Sequence, residues 1–256
     1  MLKNKNEDPL IEGSMQMYKK GLLCLSALMI MITGTACAGK KEAQKKAYKE
    51  IMDSLLKEGV LVVDGKDYTN GQWKKVLVEY PDQNSFAIYD VDDDGSEELV
   101  VSFSGLSAAE NRMYVFDYRK DRGAYCEAEF FYRDTRFYRG CAKVNSAKNQ
   151  GPTGTFWPYV LYMYNPEDDS YEEYGSISAV DSSYLGTFLG WDFPQEKDLD
   201  KDGVVFRLKL PDKDDYDTID NTEYEKWRDS ILDEETKKDI GLVPITDENV
   251  NDAFNR

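Results

Sequence analysis

Between Phe86 and Leu210 the chain breaks into eight short runs rich in tyrosine, phenylalanine and valine, each bounded by turn-forming residues. The runs are Phe86–Tyr89, Glu98–Phe103, Met113–Tyr118, Tyr125–Tyr132, Arg136–Val144, Pro158–Tyr164, Tyr171–Val180 and Val204–Leu210. Aromatic and β-branched side chains suit a pleated, half-buried surface, and runs of this length between turn residues read as strands. Arg119-Lys120-Asp121-Arg122-Gly123 and Asn165-Pro166-Glu167-Asp168-Asp169 have the composition of hairpin loops, so neighbouring runs should pair antiparallel. A single meander sheet is the simplest arrangement. Phe116-Asp117-Tyr118 and Tyr162-Met163-Tyr164 are alike, and we read them as two hairpins with the same residue preferences, because two copies do not close a propeller.

Helical spacing appears only at the two ends. Lys40 to Lys57 repeats apolar residues at Ala47/Tyr48, Ile51/Met52 and Leu55/Leu56, which gives one apolar face, and Gly59 follows as a stop. Its first part, with Lys40, Lys41, Lys45 and Lys46, is expected to fray into a solvated tether. After the acidic loop Pro211–Asp215, Thr222 and Glu225 form a candidate capping box that places Tyr224, Trp227 and Ile231 on one face. A last helix should follow Thr246, with Val250 and Phe254 one turn apart. The expected fold is therefore α+β, a mainly antiparallel meander with an N-terminal helix and C-terminal helices, in one globular domain over residues 47–256.

The chain of 256 residues contains no histidine, which removes the commonest general base and the commonest zinc ligand. Ser-His-Asp and Cys-His triads are excluded, and any catalysis would rest on carboxylates, Tyr, Lys or Ser. The net charge is −17. Residues 1–36 hold four lysines and three acids, so the part that follows is one charge more negative. Such a surface repels phosphate backbones, and no basic stripe offsets it; nucleic acid is not an expected partner.

Asp90-Val91-Asp92-Asp93-Asp94-Gly95-Ser96-Glu97-Glu98 sets acids at loop positions one, three, five and nine, with glycine at six for the tight turn. A hard cation such as calcium takes six to eight oxygens at ~2.3–2.6 Å, and alternating Asp side chains with the Ser96 carbonyl converge on one point when the chain curls. The expected ligands are Asp90, Asp92, Asp94, Ser96 and Glu98, the last binding directly or through water. The loop resembles the Asp-x-Asp-x-Asp-Gly loops of FG-GAP and VCBS-type repeats, and more loosely those of dockerins and EF-hands. The strand Leu99-Val100-Val101 follows at once, as in the FG-GAP form, and Val101 stands where an EF-hand has its bidentate Glu. That resemblance implies a structural calcium site, and an acidic solvated turn is the plainer alternative. Asp198-Leu199-Asp200-Lys201-Asp202-Gly203 begins in the same way but lacks its closing acids, unless Asp192 or Glu196 supplies one; we read it as a turn.

Met17-Tyr18-Lys19-Lys20, the apolar run Gly21–Ile32 and Thr33-Gly34-Thr35-Ala36-Cys37 read as a signal peptide over residues 1–36, with 1–14 as an upstream extension because Met15 or Met17 is the more usual start. Cysteine after Gly-Thr-Ala resembles the bacterial lipobox, although Gly34 replaces the aliphatic residue of that pattern. The resemblance implies cleavage before Cys37, a diacylglycerol on its thiol, a tether over 37–46 and a domain held on the extracytoplasmic face of the cell membrane. Export permits a disulfide. Cys126 and Cys141 would face each other across a hairpin turning at Arg133-Asp134, and the alternative is a pair of buried thiols.

Asn149 and Gln150 beside Trp157 and Tyr159 combine amides with aromatic faces, which suits a sugar or a peptide; a buried Trp beside a polar loop is the plainer alternative. Lys148–Gly151, Phe156–Tyr164 and Glu172–Ser176 look like segments of lipoproteins from gut Clostridia, a resemblance that implies location and carries no chemistry. Three functions follow as expectations. The first is a surface binding or adhesion module with a glycan or peptide ligand. The second is a carboxylate-based hydrolase of the glycosidase type, which needs two carboxyls about 5–9 Å apart across a cleft, one with a raised pKa. The third is a purely structural envelope protein.

Overall fold

A computed structural model describes residues 34–69, 83–104, 111–132, 134–146, 152–185 and 192–255. The chain divides into two compact units, residues 1–40 and residues 41–256. The first contributes to the described part only the backbone that starts helix α1 (Gly34–Glu58). That helix is continuous, so residues 40–46 do not fray as expected. Gln44 is buried and donates to the Glu97 carbonyl at 2.8 Å and the Ser96 hydroxyl at 3.1 Å, which ties the lysine-rich turn to the body. Gly59, at φ +70°, ends the helix through its N–H to the Leu55 carbonyl. Among the described residues no helix is long and apolar enough to cross a membrane.

The fold is α+β with antiparallel sheets, and the meander is divided in two. Strands β1 (Val62–Val63) and β2 (Lys66–Asp67) form a small hairpin. Its central residues Asp64 and Gly65 both have positive φ, as a two-residue primed turn demands. Strands β3 (Ser85–Tyr89), β4 (Glu98–Phe103), β5 (Arg112–Arg119) and β6 (Gly123–Phe130) pair in sequence order, and β13 (Val243–Pro244) joins beside β3. A second sheet holds β7 (Thr135–Tyr138), β8 (Cys141–Asn145), β9 (Tyr159–Asn165), β10 (Ser170–Asp181), β11 (Val204–Lys209) and β12 (Asp217–Ile219), again in sequence order. The loops 119–123 and 165–169 turn hairpins as expected. Arg136–Val144, read as one run, is itself a hairpin: Arg139 and Gly140 turn it, Gly140 at φ +68°.

The two sheets stack because each strand alternates its apolar side chains between two layers. Ala87, Val100, Met113, Val115, Ala128 and Phe130 of the first sheet meet Phe137, Ala142 and Val144 of the second. The outer face of the first sheet, with Phe86, Leu99, Val101, Tyr114 and Phe116, packs on Tyr48, Ile51, Met52 and Leu55 of α1 and on Val250 and Phe254 of helix α3 (Asp247–Phe254). The outer face of the second sheet, with Tyr159, Leu161, Ile177, Phe206 and Leu208, packs on Tyr224 of helix α2 (Asn221–Asp229). The order is helix, sheet, sheet, helix.

This layering corrects the cysteine expectation. No hairpin turns at residues 133–134, because β6 and β7 lie in different sheets. Cys126 packs on the outer layer of the first sheet and Cys141 on the outer layer of the second, so both are free thiols. The helix caps were nearly legible. Thr246 caps α3 as expected, whereas α2 starts two residues early: the capping box is Asp220 with Glu223, whose N–H donates to the Asp220 carboxylate at 2.9 Å.

Candidate metal centre

The acidic loop joins β3 to β4 and curls as its spacing requires. Asp93 and Gly95 take positive φ values of 69° and 90°, and the carboxylates of Asp90, Asp92 and Asp94 bind the backbone N–H groups that the turn exposes. Each of the three presents one oxygen within 4.8 Å of the others. That span is twice a calcium–oxygen bond, so a single cation fits among them. Ser96 is held by Gln44 through its hydroxyl. Lys238 closes one flank, with its ammonium 2.9 Å from Asp93 and donating to the Asp90 carbonyl at 3.0 Å.

Asp198, Asp200 and Asp202 repeat this geometry. Lys201 and Gly203 have φ values of 62° and 83°, the Gly203 N–H donates to Asp198, and the three carboxylates again come within 4.8 Å. The turn expected there carries a carboxylate cluster of the same shape, and neither Asp192 nor Glu196 joins it.

Glu98 departs from the expected ligand set. Its position as the first residue of β4 turns it inward, away from Asp90 and Asp94. It is 0% exposed, and one carboxylate oxygen accepts from the Val91 N–H at 2.7 Å. It comes together instead with Asp92 and with Glu127 of β6, again within 4.8 Å. Glu127 is 6% exposed and occupies a bulge: Val115 pairs with Ala128 and Phe116 with Cys126, which leaves Glu127 as the extra residue, re-aimed between the sheets. Asp117, 4% exposed, adds a fourth carboxylate to this interior.

Sequence reasoning missed Glu127. Its only signal was an acid within an aromatic run; its partners come from two strands away and from the bulge, which a single sequence does not announce. Burial raises the Glu98 carboxyl to about 10, Glu127 to about 9 and Asp92 to about 6, with the charges of the neighbouring acids adding to the rise in each case. Asp169, at the β9–β10 turn, behaves in the opposite way. Burial pushes it up, but hydrogen bonds from Tyr125, Tyr164 and Arg119 outweigh that and hold it below the usual carboxylate range.

These shifts predict the pH response of the metal-free chain. The raised groups are protonated in the fold where the unfolded chain, with ordinary carboxyls near 4.5, has lost its protons. Their contribution is therefore present below that value and is lost as pH rises through about 6, 9 and 10. Asp169 acts below this window, its contribution falling away as the solution becomes more acidic than its depressed pKa. In chelator the urea midpoint should rise from pH 8 to pH 5 and fall again below pH 4; a midpoint that falls steadily from pH 8 downward would contradict the assignment.

Of the candidate ligand-binding residues, Trp157 and Tyr159 are described, and they differ in exposure. Tyr159 is 2% exposed, in the layer under α2 with its hydroxyl 3.2 Å from that of Tyr224, so it is a core residue. Trp157 is 47% exposed and its indole N–H donates to the Ser146 carbonyl. Asn149 and Gln150 lie outside the described residues. Among the described residues, the carboxyls with raised pKa, those of Asp92, Glu98 and Glu127, are buried between the sheets. No family model, no curated protein and no solved structure matches the chain.

Proposed function

We propose that the chain is an exported lipoprotein, anchored through Cys37, whose folded part is a calcium-braced binding module on the extracytoplasmic face of the membrane. The observation that carries the calcium assignment is the convergence of Asp90, Asp92 and Asp94 within 4.8 Å on a turn whose backbone is already closed by their own hydrogen bonds. Carboxylate oxygens have lone pairs left after such bonds, and an all-oxygen set without histidine or cysteine selects a hard cation. The likeness to FG-GAP loops supports the same reading. The ion then fixes the β3–β4 turn, and with it the edge of the first sheet that Gln44 links to α1. The lipobox pattern before Cys37 supports export and anchoring. The exposed face of Trp157 supports a glycan or peptide as the ligand.

Calorimetric titration of calcium into the chelator-stripped full chain tests the loop. Wild type should bind with a micromolar to millimolar Kd, and Asp94→Asn, which leaves the interior untouched, should lose one binding event. An Asp94→Asn isotherm identical to wild type would reduce the loop to a solvated turn.

A further inference from the structure

Four carboxylates, those of Asp92, Glu98, Asp117 and Glu127, are buried between the sheets, and half of their oxygens have no hydrogen-bond partner among the described residues. Neither oxygen of Glu127 has a hydrogen-bond partner among the described residues, nor does the second oxygen of Glu98 or of Asp117. Arg119 and Arg122, both beside the Tyr125 ring, are already committed to Asp169 at 2.6–2.9 Å and to Asp64 at 2.6–3.1 Å. Cys126 and Cys141 face the outer layers, so neither thiol joins the group. A carboxylate without a partner is costly to keep charged in a closed interior, and a cation seated among the unpartnered oxygens offsets that cost.

We propose that Asp92, Glu98 and Glu127 hold a second, buried calcium ion on the inner face of the first sheet, distinct from the ion of the exposed loop. Glu127 offers two unpartnered oxygens and Glu98 one, and Asp92 stands within the same 4.8 Å span. The set is all oxygen, which selects a hard cation, and calcium accepts mono- or bidentate carboxylates in flexible geometry. Two strands and a loop of the first sheet meet at the ion: the β3–β4 loop through Asp92, the start of β4 through Glu98 and the β6 bulge through Glu127. Tyr171 of the second sheet donates to the Val91 carbonyl at 3.1 Å, and Asp169 of the β9–β10 turn accepts from Tyr125 and Arg119 of the first, so the hairpin of β9 and β10 comes down on the first sheet beside these acids. The bulge in β6 thereby gains a purpose, since without it Glu127 would follow the strand's alternation to the other face. The ion lies beside the loop site and shares Asp92 with it, so the inference builds on the loop reading without depending on it.

Calcium bound per chain, counted by equilibrium dialysis and elemental analysis on the chelator-stripped and reloaded full chain, separates the two. Counted in an Asp200→Asn background, which disables the like-shaped 198–202 cluster, the parent chain should hold two ions, with Glu127→Gln one and with Asp94→Asn one. Glu127→Gln keeps the shape of the side chain, so it should still fold in chelator while gaining less thermal stability from added calcium than wild type does. A Glu127→Gln chain that still holds two ions overturns the buried site and leaves the loop reading intact. If Glu127→Gln does not fold, Asp94→Asn decides: one retained ion supports the buried site, and none overturns it. Two ions retained in Asp94→Asn together with one in Glu127→Gln supports the buried site and removes the loop.

Discussion

Calcium at a thousandfold excess over its Kd should raise the melting midpoint of the chelator-stripped full chain by roughly 8–16 °C per site. A ligand that binds only the folded state at that excess stabilises by about 4.1 kcal/mol. For a domain of this size each kcal/mol moves the midpoint by about 2–4 °C. The expectation rests on the carboxylates of the β3–β4 loop and the β6 bulge, which crowd together in the fold and are far apart in the unfolded chain. Differential scanning calorimetry with and without calcium reads the shift directly, and a midpoint that ignores calcium would mean that the acids are not a brace.

Phe130→Ala should cost about 3–5 kcal/mol, the usual loss for a large aromatic ring removed from a closed core. Phe130 is buried, and its ring lies 5.1 Å from Tyr162, 5.6 Å from Tyr171 and 6.0 Å from Phe137, all three on the opposite sheet. It is the side chain that most directly binds the two meanders together. Its neighbour Phe131 is exposed under the Arg112 guanidinium, and Phe131→Ala should cost less than about 1 kcal/mol. Urea denaturation of the two variants measures the contrast; equal losses would mean that the layer between the sheets does not hold the fold.

The strands were legible in the sequence because aromatic and β-branched runs bounded by turn residues carry a local signal, and Glu98–Phe103 matches its strand residue for residue. The end helices were legible for the same reason, their apolar residues recurring at the helical period. What a single sequence hid was long-range. The sequence between β6 and β7 looks like any other turn, yet the two strands lie in different sheets, and of the two readings of Cys126 and Cys141 the free thiols hold. The Asp64-Gly65 turn carries an Asp-Gly hairpin signal, but its flanking strands are two residues each, too short to show a period. At the site, Asp90, Asp92 and Asp94 announced themselves by spacing alone. Glu98 was identified as a ligand but pointed the wrong way, because the parity of β4 decides which layer its first residue enters. Glu127 was invisible, since a bulge is a property of a strand pair and not of one strand.

Asp92 belongs to both carboxylate groups, so one substitution probes the whole account. Isothermal titration of calcium into the chelator-stripped full chain, in the same Asp200→Asn background, should show heat from two sites in the parent and none of comparable affinity once Asp92→Asn is added. An Asp92→Asn chain that titrates like the parent, or a parent chain that gives no heat, would contradict it.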